Sequence, residues 1–227
     1  MNSPSGKHDE MNGDPARRIL VIAPHPDDEV LGCGGALARH ADAGARISVV
    51  FLTSGELGLK HLLPTRARRL REREARAAGR ILGVRHRAFL RGPDWGVGEA
   101  QRQLWRPLGR VLRREQPELI YLPHPEDGHP DHQAAWPLLR AAWLAGLTRQ
   151  RRPLLRAYEV WSPLPHYDHV EDISQVMPRK LRALRAHASQ LHEFDYVRAI
   201  RGLNQYRGAL AARRPYVEVF QSIDWPG

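Results

Sequence analysis

The stretch Ile19-Leu20-Val21-Ile22-Ala23-Pro24-His25-Pro26-Asp27-Asp28-Glu29 decides the reading of this chain. Its apolar run, closed by a proline, has the length and continuity of a strand buried on both faces of a parallel sheet. An imidazole and three carboxylates then stand where that strand stops. Burying carboxylates is costly unless a cation or hydrogen-bond donors compensate, so the placement calls for a chemical partner.

Working outward, Val30, Gly34, Leu37, Ala38 and Ala41 recur at helical spacing, Gly44 ends the pattern, and Ile47 to Leu52 read as a second strand. Further helices are expected over about 64–82, stopped by Gly83, and over about 99–115, stopped before Pro117. Leu119 to Leu122 is the next strand. This alternation predicts a single α/β domain, a Rossmann-like, doubly wound, mostly parallel sheet with helices on both faces. In such sheets ligands gather beyond the carboxyl ends of the strands. A second cluster, His129-Pro130-Asp131-His132, follows Leu122 at the same edge, so the topology should bring the two clusters together. In the C-terminal third, Tyr158 to Trp161 reads as a strand and Pro163, Pro165 and His166 as a loop. Pro178 to Leu191 reads as one helix with Leu181, Leu184, Ala188 and Leu191 on its seam.

Composition bounds the function. The 227 residues can bury one large core without staples, and the single Cys33 excludes an internal disulfide framework, which agrees with a reducing, cytoplasmic setting. No apolar run approaches the length of a membrane span, and residues 1–17 are polar, as expected of a flexible tail preceding a domain over 18–227. The formal net charge of +10 invites a nucleic-acid reading. Its arginines, however, are interleaved with Leu and Ala as on solvated helix faces, and the aromatic platforms that bind single strands are lacking. No specific nucleic-acid partner is expected.

His25 and Asp28 lie three apart where strand turns into helix, a spacing that lets both converge on one point; alone, they would equally describe a turn capping the helix. Zinc favours imidazole and carboxylate, and a hydrolytic site takes three protein ligands and leaves a position for water. His132 is the best third ligand, with His124 a substitute, and Asp27 beside the pair is free to act as base. Gly32, Gly34 and Gly35 fit a dinucleotide turn poorly, because His-Pro-Asp-Asp-Glu intervenes and negative charge stands where a pyrophosphate would sit. These glycines serve close helix packing, and Cys33 among them reads as a buried thiol. Glu56, Asp94 and Trp95 are candidates for substrate contact, the last two at the edge of a sugar site.

With these residues in hand, the chain resembles the PIG-L/LmbE family of zinc-dependent N-deacetylases. The matching pieces are Ala23 to Glu29, Thr53-Ser54-Gly55-Glu56, the helix bearing Arg71 and Glu74, Pro123 to His132, and Lys180 with His187-Ala188-Ser189-Gln190. The resemblance implies one Zn2+ per chain, or another divalent ion such as Fe2+, on His25, Asp28 and His132. It implies Asp27 as general base, His129 opposing the oxyanion or protonating the leaving amine, and Asp131 orienting His129. Arg71 would meet substrate hydroxyls or phosphate, with Lys180 and His187 as further candidate contacts. A salt bridge between Arg71 and Glu74 and a core-satisfied His187 are the structural alternatives. The implied reaction removes an N-acetyl group from an N-acetylglucosamine-type conjugate, and family members often assemble as homo-oligomers. Other readings are an amidase on a thiol conjugate, a non-catalytic sugar- or metal-binding module, and a basic RNA-associated protein.

Overall fold

The first strand, β1 (Arg18–Ala23), divides its side chains between two cores: Ile19, Val21 and Ala23 pack on one side of the sheet and Leu20 and Ile22 on the other. That division explains an unbroken apolar run where a half-exposed strand would alternate. The computed structural model describes residues 16–147 and 151–225. Its further strands are β2 (Arg46–Thr53), β3 (His86–Gly92), β4 (Leu119–Pro123), β5 (Leu154–Tyr158), β6 (His169–Asp172) and β7 (Val217–Ser222). They form one sheet in the order β3-β2-β1-β4-β5-β7-β6. The first five pair parallel, while β7 runs antiparallel to both β5 and β6.

Helices α1 (Asp28–Asp42), α2 (Pro64–Leu82) and α6 (Met177–Arg185) cover one face with α8 (Tyr196–Arg207). The other face is covered by α3 (Gln101–Glu115) and α5 (Ala135–Ala142). Short turns α4 (Pro130–Gln133) and α7 (Ala188–Leu191) complete the α-helical set. This is the doubly wound α/β domain expected. The chain leaves β1 toward β2 and β3 and returns through α3 to β4 on the other side of β1, so the order reverses between β1 and β4. Loops 24–29 and 123–132 flank that switch point. On α2, Arg66, Arg69, Arg73, Arg76 and Arg80 form an exposed stripe, so much of the basic charge is solvated. No helix among the described residues is long and apolar enough to cross a membrane.

Several elements differ from the sequence expectation. The strand expected at Tyr158–Trp161 ends at Tyr158 and begins at Leu154. The helix expected over Pro178–Leu191 breaks after Arg185 and restarts at Ala188, so His187 leaves the face that carries Lys180. The strand β3, rich in Arg and His and only half-buried, lacked the apolar signature. Of the expected tail, residues 1–15 lie outside the described residues. Ala16 packs against the core, and the Arg17 N–H donates to Glu118 Oε2 at 2.6 Å.

One irregularity positions the site. Helix α1 is broken at Cys33, whose φ is −139°. The break leaves the N–H groups of Gly35 and Ala36 without helical acceptors, and both donate to Glu218, each at 2.7 Å. Glu218 also accepts from Lys180 Nζ at 2.7 Å, and this cluster is fully buried. Just before the break, a Cβ at Gly32 would fall inside the Tyr158 ring, so only glycine lets α1 approach β5 there.

Candidate active site

The loop after β1 is built backwards from α1. Asp28 Oδ2 accepts the His25 N–H at 2.8 Å, folding the carboxylate under the loop. The Asp27 carbonyl receives the first helical N–H groups, those of Val30 and Leu31, both at 2.9 Å. Asp27 itself is the N-cap, at φ 123°, and its side chain makes no cap bond. A non-glycine residue held there costs on the order of 1–3 kcal/mol, and the surrounding structure must sustain it. The Asp27 N–H goes to Glu29 Oε2 at 3.0 Å, and Arg71 Nη2 lies 3.2 Å from Asp27 Oδ2.

Around Asp28 the two sequence clusters meet. His25 Nδ1 lies 3.3 Å and His132 Nε2 3.2 Å from Asp28 Oδ2. Behind each imidazole stands a carboxylate: His25 Nε2 is 3.2 Å from both Asp131 Oδ2 and Asp94 Oδ1, and His132 Nδ1 is 3.2 Å from Asp127 Oδ1. Ring nitrogens of His25, His129 and His132 fall within 4.8 Å of one another. Two nitrogens and an oxygen at such separations suit one divalent cation, and carboxylates behind ligating imidazoles are the usual way their tautomer and orientation are fixed. Neither ring nitrogen of buried His132 makes a hydrogen bond of good geometry, a deficit that a cation at the Asp28 side would relieve. The residues fit a metal ion.

Electrostatics point the same way. Burial opposes charge on both imidazoles, yet the His25 side chain is pushed up by Asp131, Asp28 and Asp94. His132 is likewise pushed to about 9, by Asp28 and Asp127. Burial would raise Asp28, but His132 and His25 hold it far below the carboxylate range. Protonated imidazoles here take the place that a bound cation would fill. Asp27 behaves differently: burial outweighs Arg71 and pushes it up to about 6.

His129 precedes the turn α4, and its Nδ1 accepts the Asp131 N–H at 3.2 Å. That contact leaves a neutral His129 with its proton on Nε2. The Asp131 carboxylate goes instead to His25 and to the N–H groups of Trp95 (2.8 Å) and Val97 (3.0 Å), so it addresses His129 only through its backbone.

The remaining candidates scatter. Asp94 backs His25 and accepts the Leu57 N–H at 2.8 Å. Arg71 is buried at the floor, donating to the carbonyls of Gly55 (2.7 Å) and Pro26 (2.8 Å). It makes no bridge to Glu74, whose carboxylate takes the Ser189 N–H and hydroxyl. Glu56 lies at the edge, 3.7 Å from Arg68. His187 is fully buried, 3.5 Å from Glu29 Oε1, with neither ring nitrogen well bonded. Lys180 does not reach the site: its Nζ donates to the Leu31 carbonyl, Asn204 and Glu218, which exhausts its protons. His124 turns its Nε2 to the Ser162 carbonyl, away from the ligand group.

Sequence reasoning passed over Asp127. Besides His132 it accepts the N–H groups of His129, Trp161 and Ser162. Its signal was an acid two residues ahead of His129, at the end of a buried strand. Size alone does not mark this site, since a cavity of about 820 Å³ opens at the other end of the sheet, between Arg18, His40, Leu119, Arg156 and Glu171.

Comparison with known proteins agrees with the fold. Residues 20–143 match the model of the PIG-L family, described as GlcNAc-PI de-N-acetylase. The chain is 34% identical over 197 residues to a diacetylchitobiose deacetylase from Thermococcus kodakarensis, covering 78% of this chain and 71% of that one. It is 30% identical over 234 residues to a 4-oxalmesaconate hydratase from Pseudomonas putida, covering 92% and 90%. Among solved structures, the N,N'-diacetylchitobiose deacetylase from Pyrococcus horikoshii, in complex with an inhibitor, superimposes with a TM-score of 0.78 at 25% identity, covering 92% of this chain and 84% of that one.

Proposed function

The chain belongs to the PIG-L family, and from that premise we propose that it is a metal-dependent deacetylase, a hydrolase that frees acetate and an amine from an N-acetylglucosamine-type conjugate. The observation that carries the reading is the convergence of His25 Nδ1 and His132 Nε2 on one oxygen of Asp28, with the Asp27 carboxylate alongside but outside that contact. The proposed ligands are His25, Asp28 and His132. Their nitrogen and oxygen donors favour zinc, with Fe2+ the other ion admitted. A divalent ion there would polarise the acetamide carbonyl and bring the pKa of water toward about 7.

The chain's own groups supply the proton transfers. Asp27, kept from capping and pushed up by burial, takes a proton from the attacking water. Arg71 holds that carboxylate against the Pro26 and Gly55 carbonyls, which argues for positioning the base beside its resemblance-based role toward substrate. The neutral His129 Nε2–H faces the developing oxyanion as a hydrogen-bond donor, its Nδ1 being fixed by the Asp131 N–H, and the proton taken up by Asp27 is the one passed on to the departing nitrogen. The Asp131 and Asp127 carboxylates hold the His25 and His132 imidazoles. Asp94 is reassigned from substrate contact to the support of His25, whereas Glu56 and His187 stay at the margin and the inner wall.

The hydratase relative acts on a substrate that is anionic by its name. The Arg71 guanidinium, its charge already paired with Asp27 and its terminal nitrogens on two carbonyls, favours a neutral amide over such a polyanion. A cytoplasmic location agrees with the lone buried Cys33. A small amino-sugar conjugate is the expected partner, and self-association is open to sedimentation analysis. The test is acetate release by metal-loaded protein from N-acetylglucosamine glycosides, with 4-oxalmesaconate hydration run beside it. Water addition without acetate release would replace this reading with the hydratase one.

A further inference from the structure

Four large apolar side chains left open to solvent stand around the mouth of this one site, 49% (Leu57), 61% (Trp95), 47% (Trp161) and 54% (Phe194) exposed. Three are tied to the site by a contact, and Phe194 joins them through Trp161. The Leu57 N–H donates to Asp94, behind His25, and the Trp161 N–H donates at 3.0 Å to Asp127, behind His132. The Trp95 ring lies on His129 with centroids 4.2 Å apart, and Phe194 meets Trp161 edge-on at 5.8 Å. Half-buried Tyr196 packs 6.2 Å from Trp161 and 5.5 Å from Phe194. Single exposed apolar residues are ordinary, but a ring of them around a polar floor marks a binding surface.

Trp95 is not a loose end. Its backbone is left-handed, φ 65°, and its N–H is fixed on Asp131. A bulky residue in that region is held there by its surroundings, which present the indole face at the mouth. Charge is the second guide. Arg71 turns both terminal nitrogens to the Gly55 and Pro26 carbonyls and to Asp27, and Arg68 lies 3.7 Å from Glu56, so each of these guanidinium groups already faces a carboxylate of the chain. Exposed Lys60 lies on the Leu57 loop, outside the aromatic ring contacts.

Resting on the deacetylase reading, we propose that this rim is the subsite for the group attached to the amino sugar, and that it selects a neutral ring with an apolar face over one bearing carboxylate or phosphate. Trp95 and Trp161 are the specificity-determining residues.

The experiment compares free N-acetylglucosamine, its phenyl glycoside, N,N'-diacetylchitobiose and the malate glycoside on the metal-loaded protein. The two neutral-ring substrates should exceed the malate glycoside by about tenfold in kcat/KM. Trp95→Ala and Trp161→Ala should each raise KM for them about 3- to 10-fold, and Trp161→Ala should leave the KM of the free sugar within about twofold. Leu210→Ala, at an apolar position 68% exposed and outside the rim, is the control. A preference for the malate glycoside that Lys60→Ala abolishes, or equal KM shifts in the control, overturns the proposal. So does self-association that the tryptophan variants disrupt. Should no glycoside release acetate, the hydrolase reading fails separately. Tryptophan fluorescence titrated with the phenyl and malate glycosides then reads the rim directly: saturable quenching by the phenyl compound alone, lost in Trp95→Ala, supports the subsite, and no saturable quenching removes it.

Discussion

Two clusters of buried charge sit on either side of the break in α1, and they are satisfied very differently. Behind it, Lys180 gives every proton to protein acceptors and Glu218 receives Gly35, Ala36 and Lys180, a closed account in which nothing is left for a ligand. In front of it, His132 lacks a well-formed bond at either nitrogen, and Glu29 Oε1 and both His187 nitrogens are short of partners. In the first cluster the completed groups serve the architecture, whereas in the second the groups left short lie beside the proposed metal ligands and suit something that binds. Burial and charge alone do not separate the two clusters.

The largest effect should come from opening the closed cluster. Lys180→Met strands Glu218 in the core and should cost about 3–5 kcal/mol in urea unfolding. A loss below about 1 kcal/mol would erase the contrast. In the open cluster, Asp27→Asn should lower turnover on the order of 100-fold or more while metal content stays at the wild-type level. Its stability should move oppositely to that of Lys180→Met. The Asp27 carboxyl titrates near 6, above the ordinary carboxylate value, so its ionised form penalises the fold increasingly from about pH 4 and fully above pH 6. The metal-free Asn variant should therefore gain of order 1–3 kcal/mol at pH 7 and nothing near pH 3. An unchanged melting temperature at pH 7 would refute that origin of the shift.

Asp127→Asn sets an amide NH2 against either the His129 N–H or those of Trp161 and Ser162 and weakens the support of His132, and metal affinity measured against a competing chelator should fall about 10- to 100-fold. Affinity equal to wild type would return Asp127 to a purely structural role. Taken per pH unit, the smallest expected effect is the pH dependence of metal affinity. His132 holds its proton up to about 9 in the metal-free protein, so a metal must displace it at any lower pH. This proton alone should make affinity rise by up to about tenfold per pH unit toward 9, with the proton on His25 adding to the slope. A flat profile between pH 6 and 9 would show that this proton is not in competition.

Much of this was legible in the sequence, for identifiable reasons. The β1 run, Gly44, Gly83 and Pro117 mark elements through local physics, and their boundaries agree with the structure to within about two residues. The meeting of His25, Asp28 and His132 followed from topology, because both clusters end parallel strands that adjoin at the switch point. Lys180 was misplaced because one helix was expected where α6 and α7 are separate, and burial with three acceptors in tertiary contact has no signature along the chain. The division of labour between Asp94, Asp127 and Asp131 was hidden for the same reason. Asp94 and Asp131 reach His25 from distant loops while Asp127, in the same loop as Asp131, backs His132, and which imidazole each carboxylate meets is decided by about 3 Å of three-dimensional placement.

The break at Cys33 has an engineering consequence. It makes the first turn of α1 a short bracket keyed to the sheet, through the Gly32 contact with Tyr158 and the Tyr158 hydroxyl on the Ile22 carbonyl. The outer half of the same helix is fastened separately by Glu218. Alterations to the outer half, in length or in surface residues, load that second fastening and leave the reacting groups registered to β1.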